Sequence, residues 1–495
     1  MFNSLGSAVG VSVLPGSILV VIAGLCVLLA AVRPGQRPDL YRWIACIALL
    51  GAIAASGVEL YGMRSIRSGV GLNTFGGGLV ADHFSVYVTI VACVFALLTC
   101  LLSDSYLRRI PSRSAAFFAL VLTTTAAVSA LAGEHEMVTF FVALQALILS
   151  LGLITALVKV DARGAEAAYK HLIEGGIASA ILLYGLAILY GVTGTTDLAA
   201  VGAGLGRAPV LTSLGIALVL VGLTFAAAVV PFRQWAVRAG EAVPAPVSGF
   251  VITMGVTGGV IGWTRIGVSG LGTSVHIWTT LTAVLIAATA LYTAFIALRE
   301  TRVRRLVAHV ASSQAAIMLV AVVAFTGRVG GTDAQGATAL LFAVTAFGLG
   351  LLAAFAVLGM FETAGLGDSR DDLRGVGRRS PPSTLLLTIA LASLVGFPPL
   401  AGFIARLLVF ESAVDAGFGW LVIVVLAASA MLAIPVVRLI ALMYAEEGDE
   451  QPFTVAATPL IGRVVAAACC VGVVVVTVIA APLLALASGG AGSLH

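Results

Sequence analysis

Lys170, His171 and Glu174 lie within five positions of one another in the stretch AAYKHLIEGG, residues 167–176, inside a run of otherwise small and apolar residues. An ammonium and a carboxylate four positions apart share one face of a helix and can pair. Glu166 extends that face by one turn, and the imidazole of His171 is rotated away from it by about 100°. In apolar surroundings burial favours the neutral form of each group, whereas pairing favours the charged form. Such a pair holds or releases a proton when a neighbouring charge changes, which is proton-relay chemistry. An ion pair that is neutral in sum and only tolerates burial accounts for the same spacing.

Four further residues are candidates because they interrupt apolar sequence. Arg406 follows LVGFPPLAGF; its guanidinium keeps its proton in proteins, so it sets a field or gates but carries nothing. His309, in LVAHVASSQ, fits a relay or a hydrogen-bonded core position. Arg438 and Glu411 fall near the ends of apolar runs, where long side chains snorkel.

The elements that must position these groups follow from composition. Of 495 residues, 60% are hydrophobic and 10% charged, and the mean hydropathy is +1.11. Soluble domains carry about a quarter charged residues, so the chain is read as an all-α polytopic membrane protein. Apolar runs broken at Gly, Pro and charge clusters number fourteen, near 12–32, 41–62, 83–103, 114–132, 137–158, 167–192, 209–230, 246–268, 276–298, 305–326, 334–360, 383–412, 418–445 and 459–487. The start, MFNSLGSAVG, lacks a basic n-region, so no cleavable signal is expected. The six cysteines all sit in apolar runs without CxxC spacing and read as small core residues.

Two runs are interrupted alike: the seventh at FAAAVVPFRQW, with Pro231, and the twelfth at LVGFPPLAGF, with Pro398 and Pro399 between Gly396 and Gly402. Proline removes a donor and a helical hydrogen bond. Broken helices at matching places in two halves mark transporters built from inverted repeats, where freed backbone groups line a polar path; ordinary proline kinks are the plainer explanation. Arginine concentrates in the loops after odd-numbered runs, Arg233 and Arg238 among them, which sets those loops in the cytoplasm and both termini outside. The longest polar connection, ETAGLGDSRDDLRGVGRRSPPS, is then a cytoplasmic linker.

The stretches ADHFSVYV, EAAYKHLIEGGIASAILLYGLAILYGVTGTTDLAAV, VVPFRQWAVRAGEAVPAPVSGF, RVRRLVAHVASSQAAIMLV, DLRGVGRRSP and LASLVGFPPLAGFIARLLVF cover much of the chain. In them it resembles the antiporter-like proton-translocating membrane subunits of respiratory complex I, most of all the subunit N type, a family shared with multisubunit cation/proton antiporters and membrane-bound hydrogenases. The resemblance implies about fourteen helices, with helices 1–3 in residues 1–112, an inverted five-helix repeat in 113–270, a second in 271–450 and the last helix in 451–495. It also implies a central string of titratable groups: a glutamate on the fifth helix and lysines on the sixth, seventh, eighth and twelfth.

Matched residue by residue, the fifth-helix position is Gln145, the seventh-helix lysine falls on Ala226, the eighth on Val256 and the twelfth on Arg406. Lys170 alone is kept, and Glu174 is read as its replacement partner. Three functions stay open on these residues. One is a membrane-arm subunit of an NADH–quinone oxidoreductase-like assembly, coupled to quinone reduction in partner subunits. The others are a non-pumping paralogue in such an assembly and a subunit of a multisubunit cation/proton antiporter. Partners are therefore other membrane subunits and the bilayer, in the inner membrane of a bacterium, with quinone met only through partners. No cofactor, metal site, catalytic site of its own or nucleic-acid surface is expected: GAGLGRAP lacks dinucleotide-binding spacing, and the net charge of +4 follows topology.

Overall fold

The computed structural model describes residues 14–32, 38–65, 72–74, 78–108, 110–158, 162–326, 334–446 and 460–478. The expectations about outward-facing termini and about a leader fall on residues outside these. The main helices are α1 (Leu14–Val32), α2 (Pro38–Ser65), α3 (His83–Leu102), α4 (Ser114–Gly133), α5 (Met137–Leu157), α6 (Ala162–Thr193), α7 (Pro209–Ala226) and α8 (Gln234–Ala242). They continue with α9 (Ala245–Arg265), α10 (Val275–Ala297), α11 (Val303–Thr326), α12 (Ala334–Thr363), α13 (Pro381–Val395), α14 (Ala401–Asp415), α15 (Gly419–Met443) and α16 (Leu460–Val478). A hairpin of two three-residue strands, Leu72–Thr74 and Leu79–Ala81, precedes α3.

Among the described residues, 11 helices are long and apolar enough to cross a membrane. Without water to bond exposed amides, a spanning segment must satisfy its backbone internally, and helices do so. The expected polytopic, all-helical class is what the chain adopts. Three spans form its centre: the most apolar windows of residues 245–270, 303–325 and 335–363 are 94%, 100% and 94% buried. Helices such as α2, α6 and α15 expose broad apolar faces around them, as a lipid-facing ring requires.

Both expected interruptions are present. The helix α7 stops at Ala226, Ala228 takes a left-handed conformation at φ 55°, and the Val230–Pro231 bond is cis before α8 begins. The helix α13 stops at Val395, with Gly396 at φ 85° as its cap, and the Pro398–Pro399 bond is cis before α14 begins. Glycine is needed at 396, because a side chain there would be strained at that φ and would also lie 2.7 Å from Arg406 Cδ.

One assignment by charge is corrected. The arginine distribution places Arg233 and Arg238 in a cytoplasmic loop, but Arg233 is buried in the interruption itself and Arg238 lies on the half-helix α8. Arg233 sits inside beside the interruption, where the imidazole of His309 accepts from it.

Candidate functional site

On α6 the two carboxylates are divided between two cations. Lys170 Nζ lies 2.5 Å from Glu166 Oε1, with both side chains largely exposed on the outer flank of the chain. Glu174 instead accepts from Arg238 of α8, and both of these are half-buried. The expected Lys170–Glu174 pair is therefore not formed. On a helix a glutamate one turn before a lysine pairs better than one a turn after it, and the guanidinium of Arg238 claims the latter.

His171 is buried, its Nε2 3.2 Å from the Ile148 carbonyl oxygen, with the rings of Phe225 and Trp235 edge-on at 5.1 and 5.3 Å. The surrounding gap, lined by Leu147, Leu151, Ala226 and Gly255, has no room for a water. A relay needs a partner within hydrogen-bond reach or one water away, and the wall offers His171 neither. Gln145 Oε1 accepts from Ser179 Oγ at 2.6 Å, so α5 and α6 are joined by a neutral bond. Ala226 and Val256 are buried. None of these three can ionise.

Both interruptions are closed by donors that reach back across them. Trp235 Nε1 donates to the Phe225 carbonyl oxygen at 2.5 Å. Arg406 Nη2 donates to the Leu394 carbonyl oxygen at 2.9 Å, and Gln314 Nε2 of α11 donates to the same oxygen. A cation at a helix C-terminus also complements its dipole. Arg406 is thus a positive charge bonded to the end of α13. Pro398, which lacks an N–H, leaves the Leu394 carbonyl without its donor four residues on, whereas at the first interruption, ahead of Pro231, the Phe225 carbonyl also accepts from the Ala228 N–H at 3.1 Å.

His309 belongs to a second polar group that the sequence reveals only in part. Its Nδ1 is 2.9 Å from Arg233 Nη1, and its Nε2 is 3.6 Å from Glu300 Oε2. Glu300 also lies 3.5 Å from Arg305, which lies 3.7 Å from Glu241. The signal for Arg233 is its place two residues after Pro231; the signal for Glu300 is weak, since a charge before a helix reads as a loop.

At the opposite ends of the helices, Arg265 and Asp82 form a fully buried pair at 2.5 Å. Nearby Glu134, in the turn between α4 and α5, is buried with Oε2 unpartnered. Burial pushes this carboxyl up to about 8, against the opposing pull of the Thr139 hydroxyl and Arg265. In the loop after α12, Asp368 is pushed up to about 6, also chiefly by burial, although the Arg304 backbone N–H donates to it.

No cluster of metal-ligating side chains occurs among the described residues. The arrangement as a whole is a membrane bundle with two interrupted helices and polar groups gathered at the interruptions. The sequence profile of the family described as NADH:quinone oxidoreductase/Mrp antiporter, transmembrane, matches residues 135–432, which holds both interruptions and more than half of the chain. The chain belongs to this family.

Its relatives in the NADH:quinone oxidoreductase/Mrp antiporter family include subunit N of an NADH-quinone oxidoreductase from Heliobacterium modesticaldum. It is 30% identical over 394 residues, which are 79% of this chain and 81% of that protein. Subunit 2 of an NAD(P)H-quinone oxidoreductase from Trichormus variabilis is 31% identical over 425 residues, 85% and 80% of the two. Among solved structures, a chain of respiratory complex I from Thermus thermophilus with bound aureothin is 27% identical. It aligns with a TM-score of 0.78 over 96% of this chain and 100% of that one. A chain of the Mrp complex from Dietzia, at 21% identity and a TM-score of 0.82 over 98% and 97%, shares the fold.

Proposed function

We propose that this chain is a subunit N-type component of the membrane arm of a respiratory complex, a proton-translocating assembly of the NADH–quinone oxidoreductase kind in a bacterial inner membrane, with quinone reduction carried out by its partners. The observation that carries this reading is end-to-end similarity: relatives named subunit N align over about four fifths of both chains and, in one case, over 93% of both. The arginine distribution supports cytoplasmic loops after α1, α3 and α5, with both termini outside. The two interruptions support inverted repeats over 113–270 and 271–450.

Within that assembly the relay is altered. Gln145, Ala226 and Val256 hold no proton, and Arg406 holds its proton permanently. Lys170, Glu166 and Glu174 remain as titratable groups on α6, where Lys170 faces outward to a neighbouring subunit or to lipid. The antiporter reading is supported by the family's inclusion of Mrp antiporters and by the Mrp fold match.

The test is affinity capture of the full chain from membranes in a mild detergent, followed by mass spectrometry. Quinone-reducing and iron–sulfur subunits in the eluate are the expected result. An eluate holding only small antiporter-type membrane subunits reassigns the chain to a gradient-driven exchanger.

A further inference from the structure

We propose that Arg233, set in the interruption between α7 and α8, is a gate on a proton relay formed by Glu300 and His309, and that the structure holds this gate closed. The two nitrogens of one imidazole face different partners. Arg233 Nη1 is 2.9 Å from His309 Nδ1. A guanidinium only donates, so Nδ1 contributes its lone pair and the ring proton of the neutral imidazole sits on Nε2. That nitrogen faces Glu300 Oε2 at 3.6 Å, a distance that a small rotation of either side chain closes. Nε2 makes no hydrogen bond as it stands.

An imidazole relays by taking a proton on one nitrogen while releasing the proton carried by the other. Here the Nε2 proton passes to the Glu300 carboxylate only if a second proton arrives at Nδ1, and the reverse movement needs Nδ1 to let one go. With Arg233 docked, neither happens: the lone pair is occupied, and the guanidinium does not part with its proton. Withdrawal of Arg233 frees Nδ1. A water carrying the incoming proton as hydronium then delivers it to Nδ1 and returns to neutral water, while Nε2 gives its own proton to Glu300; each atom returns to its starting valence once the ring exchanges tautomers and Glu300 releases its proton to solvent.

Two observations make withdrawal feasible. Arg233 has no carboxylate in salt-bridge range among the described residues, and its Nε and Nη2 are buried without hydrogen-bond partners. Its other hold is the Tyr292 ring of α10, 4.6 Å away. It also sits on irregular backbone between two helices, at the N-cap of α8, where the helical bond its carbonyl accepts, from the Ala236 N–H, is long at 3.3 Å. The charged groups around the relay come from several elements. Glu300 ends the α10–α11 connection, Arg305 of α11 lies 3.5 Å from it, and Glu241 of α8 lies 3.7 Å from Arg305. This cluster faces the end of the bundle that the arginine count assigns to the cytoplasm. Toward the bundle interior, one turn along α11, Ser312 Oγ is buried without a partner. Gln314 then reaches the Leu394 carbonyl that Arg406 also holds. The relay therefore joins a cytoplasmic carboxylate to the polar side of both interruptions.

The inference deepens the proton-translocating reading, but its test uses the full chain alone and does not depend on which complex recruits it. The chain is reconstituted in liposomes carrying a lumenal pH dye, and a potassium diffusion potential drives proton entry. The wild type and Arg233→Lys, which still donates to Nδ1, are expected to stay tight. Arg233→Gln is expected to raise proton conductance roughly tenfold or more, in keeping with the weight of a positioned proton-transfer group. Adding His309→Phe or Glu300→Gln to Arg233→Gln is expected to abolish the gain. A folded Arg233→Gln chain that remains tight overturns the proposal, as does a leak that survives His309→Phe. Should Arg233→Gln fail to fold, nitrogen NMR of the wild-type chain labelled at histidine decides. A proton-bearing Nε2 with a bare Nδ1 at neutral pH, identified by its loss in His309→Phe, supports the gate, whereas an Nδ1-protonated or doubly protonated ring overturns it.

Discussion

Arg406 and Gln314, from α14 and α11, both donate to the carbonyl oxygen of Leu394, at the last turn of α13. The oxygen is free because Gly396 and the two prolines end the helix there. Either donor alone keeps it satisfied, so Arg406→Met or Gln314→Leu is expected to cost about 1 kcal/mol each. The double variant leaves a buried carbonyl without any partner and is expected to exceed the sum of the singles by about 1 kcal/mol or more. Thermal unfolding of the detergent-solubilised chain, run as a double-mutant cycle, measures the excess. Additive effects would show that the two donors do not share the load.

Glu174 and Arg238 tie α6 to the half-helix after the first interruption. Because both are half-buried, a coupling of about 1 kcal/mol is expected in a Glu174→Gln, Arg238→Gln cycle, near the upper end for such pairs. The same cycle with Lys170→Gln in place of Arg238→Gln is expected to show no coupling, since Lys170 turns to Glu166. Coupling between Lys170 and Glu174 in the unfolding midpoints would restore the pairing that spacing alone suggested.

That pairing illustrates how far the sequence could be read. Proline without an N–H and runs of about twenty apolar residues fix where helices stop and start, so the interruptions at Pro231 and at Pro398 and Pro399 were legible. Spacing along α6 showed which groups share a face. It did not show that Arg238, 64 positions away, would take Glu174. Counting arginines by loop likewise puts Arg233 in a cytoplasmic loop, because a charge beside proline reads as solvent-facing until the packing around His309 is known. Long-range partners are set by how helices pack, and single-helix periodicity carries no information about that.

Gly259 of α9 lies against the end of α7 so closely that a Cβ would sit 2.2 Å from the Ala227 nitrogen and 2.3 Å from the Ala226 carbonyl carbon. Both neighbours are backbone at the first interruption and have no rotamer to give. Gly259→Ala is therefore expected to cost about 3 kcal/mol, at the upper end of overpacking changes, and to lower the yield of monodisperse chain. Gly176→Ala, on the exposed side of α6 with nothing within 4 Å, is the control and is expected to be neutral or slightly stabilising. Equal losses for the two would mean that α7 and α9 are not in contact at this point.

Glu134 supplies a pH-dependent prediction whose sign follows from its burial. Loss of hydration raises its folded-state pKa to about 8 from an ordinary 4.5. Below pH 4.5 the carboxyl is protonated in both folded and unfolded chains and contributes no difference. As pH rises from there, the unfolded chain ionises first, and stability is lost progressively until the folded form ionises near pH 8, after which the loss is constant. Glu134→Gln keeps the shape and removes the titration. The variant is expected to match the wild type near pH 4 and to become more stable by a few kcal/mol between pH 5 and 8, since each tenfold change in proton affinity between the two states is worth about 1.4 kcal/mol. Unfolding midpoints measured across that range check the prediction. A wild type that gains on the variant as pH rises would mean that Arg265 holds Glu134 ionised in the folded chain.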